Sequence, residues 1–238
     1  MTETPRFAIY YAPDADTALA RFGSRMLGYD AVSGDDVTFP ADVIAPAAGW
    51  QTNWQDITAD PRKYGFHATL KAPFTLANDM DEVSLRDSCA RFAGVARAIP
   101  VIAPVVRSLD GFTAVVPATP SLELNALAQD CVEAFDEFRA SMTPADRARR
   151  KPERLTARQV AQLDRWGYPY VGDDFRFHMT LTGRLPPERR EAVAAMLQRH
   201  FAALDLTSLA IDRIALFRQD TPASRFRVIE SFALRGIR

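Results

Sequence analysis

A short motif that occurs twice restricts the fold of this chain more than any other feature. The stretches YGFHATLKAPF at 64–74 and FRFHMTLTGRL at 175–185 both contain Phe-His-x-Thr-Leu, although the chain has only three histidines in 238 residues. A helix pattern, a strand pattern and a hairpin pattern follow each motif in the same order. The hairpin turn comes 43 residues after His67 and 42 residues after His178. We therefore predict an internal duplication with a His-x-Thr strand in each half.

The residues of each motif predict a β-strand with one polar face. Phe, Thr and Leu fit a pleated, half-buried strand, and successive side chains of a strand point to opposite faces. The polar faces carry His67, Thr69 and Lys71 in the first strand, and His178, Thr180 and Thr182 in the second. Packing of the two halves about a pseudo-twofold axis would place both polar faces on one cleft.

The remaining patterns predict an α+β protein. Strand and helix patterns alternate along the whole chain, and residues 38–62 are expected to be mostly irregular, with a short helix near 52–59. We predict one bilobal domain over 1–238, a pseudo-twofold duplication in which two antiparallel sheets with outer helices surround a central cleft. The repeats are expected at about 63–120 and 174–238.

Composition limits the classes of partner. The formal net charge of −1 argues against a protein that coats long nucleic acid, but it allows a small phosphorylated substrate or a short RNA end. No stretch approaches the ~20 apolar residues of a membrane span, and the N-terminus is not that of a signal peptide. We therefore expect a cytoplasmic protein without membrane contact. Cys89 and Cys131 lie in amphipathic patterns and are predicted to be buried small hydrophobes in a reducing compartment.

Two imidazoles with hydroxyls and an ammonium group suit a phosphate diester. Hydroxyl and ammonium groups can stabilise charge on phosphate oxygens, and one neutral imidazole can take a proton while a protonated imidazole gives one. Neither motif holds a cysteine pair, an H-E-x-x-H sequence or a carboxylate at ligand spacing, so we predict neither a metal nor another cofactor. The third histidine, His200, lies near a predicted helix end, where a dipole contact or a surface position explains it.

The paired motif resembles the signature of the two-histidine (2H) phosphoesterase superfamily. The longer strings YGFHATLKAPF and FRFHMTLTG resemble the branch of phosphonate-metabolism proteins of bacterial phosphonate operons. The resemblance implies two lobes around a cleft and metal-independent cleavage or joining of 2′,3′-cyclic phosphates and 2′,5′-phosphodiesters. It implies that His67 and His178 are the acid–base pair, and that Thr69 and Thr180 bind the phosphate.

Several further residues are candidates for substrate contact. Lys71 shares the predicted motif face, and four side chains are expected near the cleft: Tyr10, Tyr64, Tyr168 and Arg176. Trp50 and Trp54 are candidates for a lid that stacks on a base. The basic run TPADRARRKPER at 143–154 is interpreted as solvated surface, with attraction of a substrate phosphate as the alternative.

These observations predict a metal-independent phosphodiesterase that hydrolyses a small cyclic phosphate or nucleotide phosphodiester, in a phosphonate-metabolism setting. Two alternatives stay open. One is an RNA-end enzyme, either a 2′,3′-cyclic phosphodiesterase or a 2′,5′ ligase, that uses the same cleft. The other is a module that binds a phosphorylated metabolite without turnover. The pseudo-symmetry leaves open which histidine is the base.

Overall fold

Nine β-strands and nine α-helices form the framework of residues 4–44 and 53–237, which the computed structural model describes. The strands are β1 (Arg6–Tyr11), β2 (Ala68–Thr75), β3 (Val101–Ile102), β4 (Pro104–Leu109), β5 (Phe112–Pro117), β6 (Met179–Thr180), β7 (Leu209–Ala210), β8 (Arg213–Gln219) and β9 (Arg227–Ala233). The helices are α1 (Ala18–Leu27), α2 (Ala41–Ile44), α3 (Trp54–Ile57), α4 (Ala59–Arg62), α5 (Glu82–Gly94), α6 (Leu122–Ala134), α7 (Pro144–Arg149), α8 (Ala157–Trp166) and α9 (Pro187–Ala202).

Two antiparallel sheets of unequal size are present, and the predicted α+β class is confirmed. The large sheet has seven strands in the order β4-β5-β6-β2-β1-β8-β9, and the small sheet pairs β3 with β7. Strands that follow the first motif and strands that follow the second share the large sheet. They are joined at its centre, where Ala68 of β2 pairs with Met179 of β6. The two motif strands are therefore direct neighbours.

Each hairpin pairs with a strand from another part of the chain and not with the motif strand that precedes it. The order β2-α5-β3-β4-β5 is followed later in the chain by β6-α9-β7-β8-β9. The hairpin β4–β5, which follows the first motif, pairs with the strand of the second motif, and β8 of the other hairpin pairs with β1 beside β2. The second motif strand thus pairs with the hairpin that follows the first motif, whereas β1 lies between the first motif strand and the other hairpin.

Local sequence explains where these elements begin and end. Asp81 caps α5 by accepting from the Ser84 amide, and Gly28 ends α1 in the left-handed region at φ 71°. In the two-residue turn between β4 and β5, Asp110 and Gly111 have φ of 44° and 99°, which the Asp-Gly dipeptide tolerates. The second motif forms a much shorter strand than expected. Beyond Thr180, the amides of Leu181 and Thr182 both donate to the Thr113 carbonyl, so regular pairing stops.

The larger of two apolar clusters lies between the large sheet and the helices. It contains Phe7 and Ile9 of β1, Leu85 of α5 and Leu197 of α9. Cys89 and Cys131 are buried free thiols, as predicted. In the described part of the chain, no helix is long and apolar enough to cross a membrane.

The tryptophan lid prediction is wrong for Trp54. Its side chain is only 3% exposed, and its indole Nε1 donates to the Met26 carbonyl at 2.8 Å. The ring therefore packs in the core between α3 and α1 and cannot reach a base in the cleft. Trp50 lies outside the described residues.

Candidate active site

The two motif histidines have the same local geometry. Each lies immediately before its strand, and each ring nitrogen Nδ1 contacts the carbonyl oxygen two residues earlier, at 2.9 Å from Gly65 for His67 and 2.7 Å from Arg176 for His178. A carbonyl can only accept, so in both rings Nδ1 donates and Nε2 of the neutral ring is the acceptor. Both imidazoles are therefore oriented to use Nε2 as a proton acceptor.

Both histidines line one cavity of about 400 Å³. The threonines of both motifs, Thr69 and Thr180, line it as well. The sheet topology explains this convergence, because β2 and β6 are adjacent at the centre of the sheet. Other lining side chains include Tyr10, Tyr64, Phe112, Arg150, Tyr168, Thr182 and Arg184.

Burial keeps both imidazoles neutral. It lowers the pKa of His67 to about 4, opposed by the Gly65 carbonyl and reinforced by the nearby charge of His178. Burial also lowers the pKa of His178, opposed by the Arg176 carbonyl. The repulsion between the rings means that a proton on His178 makes a second proton on His67 less favourable. The pair therefore favours one proton over two.

Aromatic rings surround His67. The Tyr10 ring stacks on the His67 ring with centroids 3.9 Å apart, and Tyr64 lies at 5.9 Å. Tyr10 is only 1% exposed, and burial holds its pKa well above the usual value. Burial also raises the pKa of Tyr168 to about 12. The phenols of Tyr10 and Tyr168 therefore stay protonated at neutral pH and can act only as neutral hydrogen-bonding groups and packing surfaces.

The motif threonines differ in their contacts. The Thr69 hydroxyl lies 3.4 Å from Nε2 of His67, and Thr180 lines the same cavity. Thr182 also borders the cavity, but it is fully buried and its hydroxyl accepts from the Thr113 amide at 3.0 Å. Thr69 and Thr180 are thus better placed than Thr182 to meet a phosphate oxygen.

The prediction that Lys71 shares the motif face is wrong. Ile9 of β1 pairs with Lys71, and Tyr10 pairs with Thr69. One residue step along β1 therefore matches two residue steps along β2. This bulge interrupts the alternation, so Ala72 and Pro73 line the cavity instead. Lys71 is 3% exposed, and its Nζ donates to the Val132 carbonyl at 2.8 Å and to Asp136 at 3.1 Å.

Two of the other predicted contacts border a second cavity. This cavity of about 430 Å³ adjoins the first at His178 and is lined by Arg176, Tyr168 and Tyr170. Tyr168 lines both cavities, whereas Tyr64 and Tyr10 line the cavity that holds the histidine pair and not the second one. The contact of these side chains with a substrate stays a prediction.

Sequence reasoning missed three cavity residues. Phe112 lies 5.6 Å from the His178 ring, and Arg184 donates from Nη1 to the Asp110 carbonyl at 2.8 Å. Arg150 belongs to the basic run that was interpreted mainly as solvated surface. Arg184 lies three residues after Leu181, the last residue of the second motif, which is a signal in the sequence, but the direction of its side chain depends on the turn at Asp110.

The third histidine lies elsewhere. His200 is in the last turn of α9, and its Nε2 is 2.7 Å from a carboxylate oxygen of Asp42. This agrees with the predicted position near a helix end. Within the described ranges, no group of three or more His, Cys, Asp or Glu residues is arranged to hold a metal ion.

A family comparison places the chain. The sequence profile described as "Protein of unknown function (DUF1045)" matches residues 69–227, more than half of the chain. The chain belongs to this family. DUF1045 is a family of phosphonate operons, so the predicted branch is confirmed.

Curated relatives are longer than this chain. A protein of Janthinobacterium sp. (strain Marseille) named ribose 1,5-bisphosphate phosphokinase PhnN is 37% identical over 93% of this chain and 49% of its own length. A protein of the same name from Laribacter hongkongensis (strain HLHK9) is 32% identical over 94% of this chain and 50% of its own length. The chain spans about half the length of the curated relatives it matches.

The solved structures that match over nearly the whole chain have low sequence identity to it. E. coli LigT complexed with 3′-AMP has a TM-score of 0.43 and 14% identity, covering 98% of this chain and 99% of that chain. A structure titled as a phosphoesterase has a TM-score of 0.40 and 13% identity, covering 97% and 98%. Similarity at this level says nothing about activity.

Proposed function

We propose that this protein is a metal-independent phosphodiesterase that hydrolyses a small cyclic phosphate by acid–base catalysis with His67 and His178. The observation that carries the proposal is the matched geometry of the two rings. Both Nδ1 atoms donate to backbone carbonyls, and both rings border the cavity that Thr69 and Thr180 also line. Two oriented proton acceptors beside two hydroxyls suit an in-line attack on phosphorus.

The reaction needs one neutral and one protonated ring. Both rings are neutral in the empty site, but a bound phosphate anion raises the pKa of a nearby imidazole and favours its protonation. The neutral ring takes a proton from water as the water oxygen bonds to phosphorus. The protonated ring gives its proton to the leaving oxygen as the phosphorus–oxygen bond breaks, and the products are a phosphomonoester and a free hydroxyl.

The surroundings of the rings favour His67 as the base. It is stacked on Tyr10, and burial lowers its pKa to about 4, so it stays neutral at the pH at which His178 accepts a proton. His178 borders both adjoining cavities and is therefore more accessible to a leaving group. In this assignment His67 activates water and His178 protonates the leaving oxygen.

The names of the relatives favour a ribose phosphate as the substrate. They are called phosphokinases of ribose 1,5-bisphosphate, and this chain matches only half of each. The chain has no G-x-x-x-x-G-K-[ST] phosphate-binding loop. A phosphodiesterase half could supply the substrate of such a kinase. Hydrolysis of ribose 5-phosphate 1,2-cyclic phosphate, with cleavage of the bond between phosphorus and O2, leaves the phosphate on O1 and gives ribose 1,5-bisphosphate.

The second cavity supports a different candidate, an enzyme that acts on nucleotides or short RNA ends. Phe112, Tyr168 and Tyr170 line this cavity beside His178. Aromatic side chains hold bases by stacking, which is worth about 1–3 kcal/mol per base. A 2′,3′-cyclic nucleotide with its base in this cavity would place its phosphate toward the histidine pair.

Phosphorus NMR with EDTA present tests the proposal. The panel holds ribose 1,2-cyclic phosphate, its 5-phosphate derivative, 2′,3′-cyclic nucleotides and a 2′,5′-linked dinucleotide. We expect turnover of at least one compound, and loss of about 10²–10⁴-fold in rate in both His67→Ala and His178→Ala. His200→Ala is the matched control, since this histidine pairs with Asp42 and neither residue lines the two cavities.

The outcomes separate the alternatives. Unchanged turnover in either motif variant contradicts the two-histidine mechanism. Turnover of the nucleotides alone supports the RNA-end candidate, and tight binding of a compound that stays uncleaved supports a binding module.

A further inference from the structure

A basic cavity adjoins the proposed active site. It has a volume of about 470 Å³, and it meets the histidine cavity at Pro73 and Arg150, which line both. Four arginines line it: Arg6, Arg139, Arg149 and Arg150. Hydroxyl groups of Thr75, Ser141 and Thr221 border it as well. Guanidinium and hydroxyl groups together are typical partners of phosphate oxygens.

Carboxylates neutralise only two of these arginines. Arg139 pairs with Asp136 at 2.8 Å, and Arg149 pairs with Asp146. Among residues 4–44 and 53–237, no carboxylate forms an ion pair with Arg6 or Arg150. Asp146 also lines the cavity and interacts electrostatically with Arg150, but its ion pair is with Arg149. The cavity therefore has two guanidinium groups, those of Arg6 and Arg150, without an ion-pair partner among the described residues.

A neutral amide holds Arg6 in place. Its Nε donates to Oε1 of Gln219 at 2.8 Å, and Gln219, only 4% exposed, donates from Nε2 to the Ser224 carbonyl at 2.7 Å. Arg6 also lies over the Phe226 ring at 5.5 Å. A carboxylate in the place of Gln219 would cancel the charge, whereas the amide orients the guanidinium and leaves its charge available to a ligand.

Arg150 connects this cavity to the histidine pair. It follows α7 directly, and its guanidinium carbon lies 5.7 Å from the Tyr168 ring, which borders the histidine cavity. Arg6 and Tyr10 lie on the same face of β1, four residues and thus about 13 Å apart along the strand. The cationic residues therefore extend from His67 and its Tyr10 neighbour toward the start of β1.

We propose that this cavity is a subsite for a second, terminal phosphate of the substrate, bound by Arg150 and Arg6. The inference rests on the proposed function and narrows the substrate to a phosphodiester that also carries a phosphomonoester. The diester needs only the histidines and threonines, and the dianionic monoester compensates the two unpaired guanidinium charges.

Substrate pairs that differ in one phosphate test the subsite. The pair is ribose 1,2-cyclic phosphate with and without a 5-phosphate, assayed with the wild type, Arg150→Gln and Arg6→Gln. We expect kcat/KM of the wild type to be about 10–100-fold higher for the phosphorylated compound. Arg150→Gln should lose at least tenfold on that compound and little on the other, with a smaller loss in Arg6→Gln.

Arg154→Gln is the matched control. The substitution removes the same charge from the same segment. Arg154 is exposed and lines none of the three cavities, so the substrate preference should stay unchanged. Thermal unfolding of each variant checks that the fold is retained.

The results separate this inference from the proposed function. If the wild type cleaves neither compound, hydrolysis of a cyclic ribose phosphate is contradicted, and the same pair is titrated by calorimetry. Tighter binding of the phosphorylated compound that weakens in Arg150→Gln then still supports the subsite. Equal kcat/KM or equal affinity for the two compounds overturns it, as does a preference that survives in both variants.

Discussion

The two His-x-Thr motifs share a contact but not an environment. His67 precedes an eight-residue strand and stacks on a buried tyrosine, whereas His178 precedes a two-residue strand and borders two cavities. Both rings nevertheless point Nδ1 at the carbonyl two residues back. The repeated sequence thus fixes the direction of each ring, and the surroundings distinguish their affinity for a proton. A pair of equal motifs can in this way supply unequal catalytic groups.

The largest difference between the two histidine variants is expected with a substrate whose leaving group needs no proton. Bis(p-nitrophenyl) phosphate releases a phenolate that leaves without protonation, so a missing general acid has little consequence. We expect His178→Ala to approach the wild-type rate on this compound, while His67→Ala stays about 10²–10⁴-fold slower. Release of p-nitrophenolate measures both rates.

The opposite pattern would reverse the assignment of the two rings. Recovery of both variants would contradict the need for a base. His200→Ala serves again as the histidine control.

The threonines should show a smaller and more symmetric effect. Thr69→Val and Thr180→Val remove a hydroxyl and keep the side-chain shape, so each should lose about 100-fold in kcat because a donor to the phosphate is gone. Steady-state kinetics of the two variants on the same substrate gives the comparison.

Thr113→Val is a matched control in the same sheet. The Thr113 hydroxyl is buried and has no hydrogen-bond partner within the described structure, so its loss should leave kcat unchanged. A loss in only one of the two motif variants would show that the phosphate is bound on one side of the cavity.

A pH profile of kcat/KM distinguishes the two rings. On each limb of the profile, kcat/KM changes by about tenfold per pH unit. kcat/KM reports the ionisation of the free protein, in which His67 must be neutral and His178 protonated. The pKa of His67 is about 4, and the pKa of His178 lies below its ordinary value of 6.5. We expect a bell-shaped profile with its maximum below pH 6.5 and an acid limb near pH 4. A maximum above pH 7 would contradict the assignment.

The smallest effect concerns stability. Between pH 6.5 and 4 the unfolded chain protonates His67 more readily than the folded protein does, so stability is complete above pH 6.5 and is lost as the pH falls. The contribution amounts to about 1–2 kcal/mol between pH 7 and pH 5. Urea unfolding of His67→Gln should show a pH dependence that is weaker by this amount.

His200→Gln is again the control, since that ring pairs with Asp42 on another part of the surface. An unchanged pH dependence in His67→Gln would show that the buried environment of this ring does not disfavour its protonation.

The site residues whose direction could be predicted from the sequence are those of the repeated motif. His67, His178 and their threonines are specified by a local alternation that needs no knowledge of the partner strands. Lys71 is different, because its direction depends on a bulge against β1, and the register of two strands 60 residues apart is not written in either one.

The positions of residues that come from other helices and turns could not be predicted from the sequence either. Arg150 reaches the cavity only because α7 and the turn after it pack near Tyr168. Trp54 was a candidate for a lid that stacks on a base, but its indole nitrogen donates to the Met26 carbonyl in α1. Composition distinguishes neither an arginine that lines a cavity from one in solvent, nor a tryptophan in a lid from one in a core.

The pairing of the hairpins with other parts of the chain also has a consequence for the order of folding. β6 is held between β5 and β2, so its pairing joins residues more than 60 and more than 100 positions apart in the chain. Such distant contacts form late, because a long loop must close before they stabilise anything. A nascent chain released before the second motif could complete β4 and β5 but would have an open edge where β6 belongs. The two motif histidines therefore line one cavity only after β6 has paired with β2 and β5. We expect the activity of the proposed site to depend on this late pairing.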